Sequence, residues 1–188
     1  MSIGKEFSLH KNWVFEAIKY AEKHDVLIVS AASNSNFNLN DNNNHYPNDN
    51  INNEDEVSDN FLLVGASTYF LNEYLKDSSS NYGNIDVDVF APGDKIYTTV
   101  PNDKYTSNFG GTSAAAAITS GIAALIRSYY PKLSVSQVKH LIMDSGLEYN
   151  LNVKVNDTLL PFNTLSKSGK VVNAYNALIM ADRIYRKQ

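Results

Sequence analysis

Two short, unbroken apolar runs constrain the fold of this chain more than any other feature. Residues 26–32 read Val-Leu-Ile-Val-Ser-Ala-Ala, and residues 61–66 read Phe-Leu-Leu-Val-Gly-Ala. Such runs are typical of strands buried on both faces of a parallel sheet, because helices then cover each face. Helical periodicity or capping signals mark four further segments, residues 10–24, 113–129, 134–146 and 171–185. The sequence therefore predicts a layered α/β domain.

The composition excludes several classes of function. The chain has 188 residues, of which 43% are hydrophobic, so it is long enough for one domain with a substantial core. Its net charge is −4 and it has no basic stripe, so we do not expect a nucleic-acid partner. It has no cysteine, no apolar run of membrane-spanning length and no visible signal peptide at Met1. We therefore expect neither disulfides nor a membrane-spanning segment, and no cofactor is indicated.

An asparagine-rich segment covers roughly residues 34–60. Eleven of the twenty residues from 34 to 53 are Asn, and aliphatic side chains are few. This composition predicts a long, solvated surface loop. A calcium-binding loop is the alternative, because five acidic side chains lie in it or beside it, although their spacing matches no defined calcium motif. These side chains are Asp41, Asp49, Glu54, Asp55 and Glu56.

The segment around Ser113 contains the strongest candidate for a reactive side chain. Gly110 and Gly111 lead through one threonine to Ser113, and alanines follow at residues 114–117. A helix that starts at Ser113 leaves unpaired N–H groups and the positive end of the helix dipole beside the hydroxyl. That setting suits an oxygen nucleophile that must generate an oxyanion. The alternative is that Ser113 only caps the helix, a role in which serine is common.

Several segments, taken in order along the chain, resemble the subtilisin-like serine proteases (subtilases, peptidase family S8). Gly111-Thr112-Ser113-Ala114-Ala115, with Gly121, resembles the nucleophile region of that family. Residues 29–35 resemble the strand that ends at the oxyanion-hole asparagine. Further similar segments are Tyr46-Pro47, Ala91-Pro92-Gly93 and the stretch from Gly169 to Leu178. A lone Gly-Thr-Ser would be weak evidence for this family, but an ordered set of motifs over most of the chain is specific evidence for it.

The resemblance implies a three-layer subtilisin-like fold, with a mainly parallel sheet flanked by helices. It also implies that residues 1–188 are the C-terminal part of a single peptidase domain, whose N-terminal portion with the triad Asp and His is missing here. The parent protein is then expected to be a serine endopeptidase that acts on protein or peptide substrates through an acyl-enzyme. Ser113 would be the nucleophile, and Asn34 the side-chain donor of the oxyanion hole.

The same resemblance assigns substrate-binding residues. Two short wall segments would flank the pocket for the residue before the scissile bond, and His45 would lie near its floor. The walls are Ser2, Ile3 and Gly4 on one side and Ala31, Ala32 and Ser33 on the other. Small side chains there would let a substrate strand pair with exposed backbone. The alternatives are ordinary tight packing for the wall residues and a surface-loop position for His45.

No residue of the chain is assigned as general base. None of the histidines, His10, His24, His45 and His140, is followed by Gly-Thr, the pattern around the family's base. Asp86 and Asp88 alternate with apolar residues, which predicts one solvated sheet face rather than a triad acid. In addition, Ala117 stands where the family has proline. A non-catalytic pseudoprotease or peptide-binding domain on the same scaffold is therefore the alternative function.

Two expectations follow from the resemblance without a direct signal in the residues. A secreted or cell-envelope location is expected from the family. A sheet that lacks part of its strands would expose an edge, so self-association of the chain is also expected.

Overall fold

The computed structural model describes residues 1–2, 4, 8–41, 45–50 and 55–186, and within these ranges a five-stranded sheet has helices on both faces. The helices are α1 (Lys11–Lys23), α2 (Thr112–Tyr129), α3 (Val135–Asp144) and α4 (Ala174–Tyr185). The sheet strands are β1 (Ile28–Ala31), β2 (Phe61–Ser67), β3 (Val89–Pro92), β6 (Leu147–Glu148) and β9 (Lys170–Val171). Two antiparallel hairpins stand outside the sheet, β4 (Ile96–Val100) with β5 (Lys104–Phe109), and β7 (Asn152–Val155) with β8 (Thr158–Pro161).

The order of strands in the sheet is β1-β2-β3-β9-β6. The pairs β1–β2, β2–β3 and β3–β9 are parallel, and only β6 runs antiparallel. The predicted α/β fold with a mainly parallel sheet and flanking helices is therefore confirmed. The capping signal that predicts a helix at residues 134–146 is also confirmed, as a capping box of Ser134 and Gln137.

The two apolar runs form strands because both of their faces are covered. In β2, Leu62, Val64 and Ala66 pack with the alanines and isoleucines of α2, while Phe61 and Leu63 pack with Ile18 of α1. Alternate residues of a strand point to opposite faces, so an uninterrupted apolar run serves both layers. The small side chains at the start of α2 let that helix lie close against β1, β2 and β3.

The carboxyl ends of the parallel strands bring two distant segments together. The chain leaves β1 at Ala31 and continues into Asn34. It leaves β3 at Pro92, forms the β4–β5 hairpin, and returns so that the Gly111 N–H donates to the Gly93 carbonyl at 2.6 Å. Helix α2 thus begins at the same sheet edge where Asn34 follows β1. Such edges are where ligand sites of open α/β sheets collect.

The apolar periodicity of residues 10–24 predicts that Trp13 lies on the buried face of α1, and this prediction is wrong. The inner face of that helix is formed by Phe15 and Ile18, at 5% and 3% exposure, whereas Trp13 is 72% exposed. Trp13 instead stacks on His10, with 4.3 Å between ring centroids.

The prediction of a solvated face at Asp86 and Asp88 is also wrong. Both side chains are buried, at 5% and 1% exposure. Asp88 accepts a hydrogen bond from the Leu63 N–H at 2.7 Å and lies 3.4 Å from the Lys167 ammonium. Asp88 is buried beside lysines from distant parts of the chain, and strand alternation alone does not show such partners.

The asparagine-rich segment is less solvated than its composition predicts. Leu39 is in the core beside Phe61, and Asn48, Asp49 and Asn50 are each at most 5% exposed. Part of the segment therefore packs into the body of the domain.

Candidate active site

Gly111 sets the start of α2 in a way that only glycine permits. Its φ is +82°, in the left-handed region that favours glycine. A Cβ at this position would also lie 3.0 Å from Asn34 Oδ1 and 3.2 Å from Asn34 Nδ2. The absence of a side chain therefore allows the Asn34 amide to lie against the first residues of the helix.

Thr112 holds the Asn34 amide in one orientation. The Thr112 N–H and hydroxyl both donate to Asn34 Oδ1, at 2.9 and 3.1 Å. With its oxygen satisfied twice, the amide has Nδ2 as its remaining donor. Within the described ranges, neither Asn34 Nδ2 nor the Ser113 N–H has an acceptor in the protein. Two unpaired donors thus lie at the positive end of a helix.

Ser113 is joined to Ser2 by a reciprocal pair of contacts. The Ser113 hydroxyl donates to the Ser2 carbonyl at 3.5 Å, and the Ser2 hydroxyl donates to the Ser113 carbonyl at 3.2 Å. The structure therefore brings together three of the residues that the sequence selected, Ser2, Asn34 and Ser113, although they are far apart along the chain.

Gly4, Ser33 and His45 also lie together. The Ser33 hydroxyl is 3.2 Å from His45 Nδ1, and a Cβ on Gly4 would be 3.0 Å from Ser33 Oγ and 3.2 Å from His45 Cε1. His45 is 2% exposed, so it is not a surface-loop residue. Burial lowers the pKa of His45 to about 4, partly opposed by the Ala31 carbonyl, so the imidazole is neutral at pH 7.

The remaining predicted wall residues are placed differently. The side chains of Ala31 and Ala32 pack into the two cores on opposite faces of the sheet. The Ala31 N–H donates to the Met1 carbonyl and the Ala32 N–H to the Val64 carbonyl, both at 3.0 Å. Only other parts of their backbone could therefore face a substrate. Ile3 lies outside the described residues.

None of the four histidines hydrogen-bonds to the Ser113 hydroxyl in the described structure. His10 stacks on Trp13, His24 lies against Tyr20 at the end of α1, His45 contacts Ser33, and His140 is 2.9 Å from an Asp59 carboxylate oxygen. Within the described ranges, a candidate nucleophile and two candidate oxyanion donors therefore lie together with no histidine beside them.

Of the acidic residues proposed for calcium, those that the structure describes do not form a cluster that could hold a metal ion. Among the residues that the structure describes, no group of three or more His, Cys, Asp or Glu side chains could hold a metal ion. Asp41 and Asp55 are exposed, and Glu54 lies outside the described residues. Glu56 is instead bound by two ammonium groups, Lys139 at 2.6 Å and Lys167.

Two features of the site could not be selected from the sequence. Thr112 adjoins the nucleophile, but only the fold shows that its hydroxyl reaches a residue 78 positions away. Ser33 has φ +72°, which is uncommon for a residue with a side chain, and no local pattern indicates it.

Comparison with known proteins identifies the family. The sequence matches the model of the Subtilase family over residues 1–173. It is 36% identical over 131 residues to Subtilisin DY of Bacillus licheniformis, covering 70% of this chain and 43% of that protein. It is 35% identical over 129 residues to the Major intracellular serine protease of Bacillus subtilis, covering 65% of this chain and 36% of that protein.

The fold agrees with these relationships. The A-subunit of the AB5 toxin from Escherichia coli superimposes with a TM-score of 0.74 at 22% identity, covering 96% of this chain and 59% of that one. The chain spans less than half the length of the two curated relatives, Subtilisin DY and the Major intracellular serine protease. No helix in the described ranges is long and apolar enough to cross a membrane. On the match over residues 1–173, this chain belongs to the Subtilase family of serine peptidases.

Proposed function

We propose that this chain carries the nucleophile and oxyanion-binding part of a serine endopeptidase. The observation that supports the proposal most is the convergence of Asn34 and Ser113 at the start of α2. There the Asn34 amide oxygen accepts from the Thr112 N–H at 2.9 Å, and two donors have no acceptor among the residues that the structure describes. Oxyanion stabilisation in acyl transfer needs such donors, fixed before the reaction begins.

The proposed reaction is acyl transfer through a covalent intermediate. The Ser113 oxygen attacks the carbonyl carbon of the scissile peptide bond while a general base takes its proton. The resulting oxyanion accepts hydrogen bonds from Asn34 Nδ2 and the Ser113 N–H. The tetrahedral intermediate then collapses, the leaving amine takes a proton, and water releases the acyl group from Ser113.

The base is assigned to polypeptide other than these 188 residues. Every histidine of the chain has its contacts elsewhere, and the Ser113 hydroxyl is directed at the Ser2 carbonyl. A serine hydroxyl without a base is a weak nucleophile, so the chain by itself is expected to be inactive.

A fluorophosphonate probe tests this proposal when imidazole is supplied as an exogenous base. We expect no label on Ser113 in buffer alone, and labelling that rises with the concentration of neutral imidazole, read by intact mass and peptide mapping. Ser113→Ala should abolish the label, and Ser120→Ala, which removes an exposed serine of α2, should leave it unchanged.

Two results would contradict the proposal. Labelling of Ser113 without imidazole would show that a base is already present. No labelling of Ser113 at any imidazole concentration would favour the second candidate, a non-catalytic peptide-binding domain. That alternative is motivated by the Ser113 hydroxyl, because its one hydrogen bond in the described structure is to the Ser2 backbone carbonyl.

The cellular location remains a prediction. A secreted or envelope location is the family expectation, but one relative is named an intracellular protease and another a cytotoxin subunit. The names of the relatives therefore do not favour one compartment.

A further inference from the structure

We propose that Ser33 and His45 fill the acyl-side pocket of this site, so that it accepts only glycine or alanine at the residue before the scissile bond. This inference rests on the proposed peptidase function and specifies its substrate class.

The Ser33 side chain contacts His45 and lies close to Gly4. Its backbone has φ +72°, a conformation in which a side chain is uncommon, and its hydroxyl lies 3.2 Å from His45 Nδ1. Ser33 directly precedes Asn34, so its backbone adjoins the residue that we propose holds the substrate carbonyl.

The opposite wall is already in contact with this side chain. A methyl group placed on Gly4 would lie 3.0 Å from Ser33 Oγ, 3.1 Å from the Tyr46 carbonyl oxygen and 3.2 Å from His45 Cε1. Two walls that enclose an aromatic ring must stand about 7 Å apart, because each makes contact with it at about 3.5 Å. Since a single carbon placed on Gly4 would already lie 3.0 Å from Ser33 Oγ, no aromatic ring fits between these two residues.

His45 makes the floor of the pocket fixed and uncharged. It is 2% exposed and neutral at pH 7, so it offers no charge to a substrate side chain. A cavity of about 620 Å³ lies nearby, and Gly4, Tyr46, Trp13 and Val14 are among the residues that line it. Neither Ser33 nor His45 lines it, so it does not enlarge the pocket that they fill.

Peptide boronic acids test the inference without requiring the missing base to complete a turnover. In the adduct, a B–O bond forms to Ser113 Oγ, the hydroxyl proton passes to buffer, and boron becomes a tetrahedral anion. The series is acetyl-Ala-Ala-Xaa-boronic acid, in which Xaa is Gly, Ala, Val or Phe. Affinity is measured by calorimetry and adduct formation by ¹¹B NMR, for the whole chain and for Ser33→Gly, Ser35→Gly and Ser113→Ala.

We expect the Gly and Ala boronates to bind at least about tenfold more tightly than the Phe boronate, a range typical for steric discrimination in a pocket. Ser33→Gly should reduce or reverse this preference while keeping the fold, because glycine adopts φ +72° freely. Ser35→Gly is the matched control, since the Ser35 side chain is exposed, and it should leave the preference unchanged.

The outcomes separate this inference from the proposed function. Ser113-dependent binding in which Phe equals or exceeds Ala would overturn the inference alone. A preference for Ala that persists unchanged in Ser33→Gly would also overturn it. Absence of Ser113-dependent binding for every boronate, together with no imidazole-dependent fluorophosphonate label, would overturn both.

Discussion

At the scale of single residues, the orientation of the Asn34 amide depends on its contacts with Thr112. Both donors of Thr112 use the amide oxygen, so Nδ2 remains for a developing oxyanion. The sequence was sufficient to select Asn34 and Ser113, because each follows a recognisable local pattern. It could not select Thr112 or the Ser33–His45 contact, because these depend on side-chain directions that arise only when distant segments pack together.

Removing the Asn34 amide should slow the imidazole-dependent labelling of Ser113. Loss of one oxyanion donor typically lowers the rate of acyl transfer about 10²–10³-fold, so Asn34→Ala should show a decrease of that order. Asn150→Ala, at an exposed position, serves as the matched control and should label like the parent chain. Equal labelling rates for Asn34→Ala and the parent would show that Asn34 does not contact the oxyanion.

At the scale of elements, the strands and helices were largely predictable, whereas the partners of the charged side chains were not. Unbroken apolar runs predict β1 and β2, and a capping box predicts the start of α3. The alternation around Asp86 and Asp88 suggested a solvated strand. In the structure, Lys139 of α3 is 1% exposed and lies 2.6 Å from Glu56 and 4.0 Å from Asp88. Helix α3 is thereby linked to β3 and to the segment before β2.

This buried cluster predicts a pH dependence of stability. Burial, with the nearby Asp88 and Glu56 carboxylates, raises the pKa of Asp49 to about 8, against the opposing effect of Lys139 and Lys167. Because the folded state retains a proton that the unfolded state releases near pH 4, the stability that Asp49 contributes falls as pH rises from about 4 to 8.

Asp49→Asn should remove that pH dependence. The free energy of unfolding of the variant should exceed that of the parent at pH 8 by on the order of 5 kcal/mol, since the pKa of Asp49 rises from about 4 to about 8 and one pKa unit corresponds to about 1.4 kcal/mol. Urea unfolding at pH 5 and pH 8 measures the difference, with Asp157→Asn at an exposed turn as control. A variant that loses as much stability as the parent over this range would show that Asp49 ionises normally.

At the scale of the whole molecule, the chain has the subtilase layer arrangement over less than half the length of its two curated relatives. The sheet, the start of α2 at Thr112 and Ser113, and the loop that carries Asn34 are all present, so Asn34 and Thr112 meet within this chain. The expected self-association of the chain remains a prediction.

The most direct test of the central claim is a crystal structure of the chain phosphonylated at Ser113. We predict that the phosphonyl oxygen lies within about 3 Å of both Asn34 Nδ2 and the Ser113 nitrogen, as an oxyanion would. An adduct whose oxygen points to solvent, with the Asn34 amide turned away from it, would contradict the assignment of this helix start as an oxyanion-binding site.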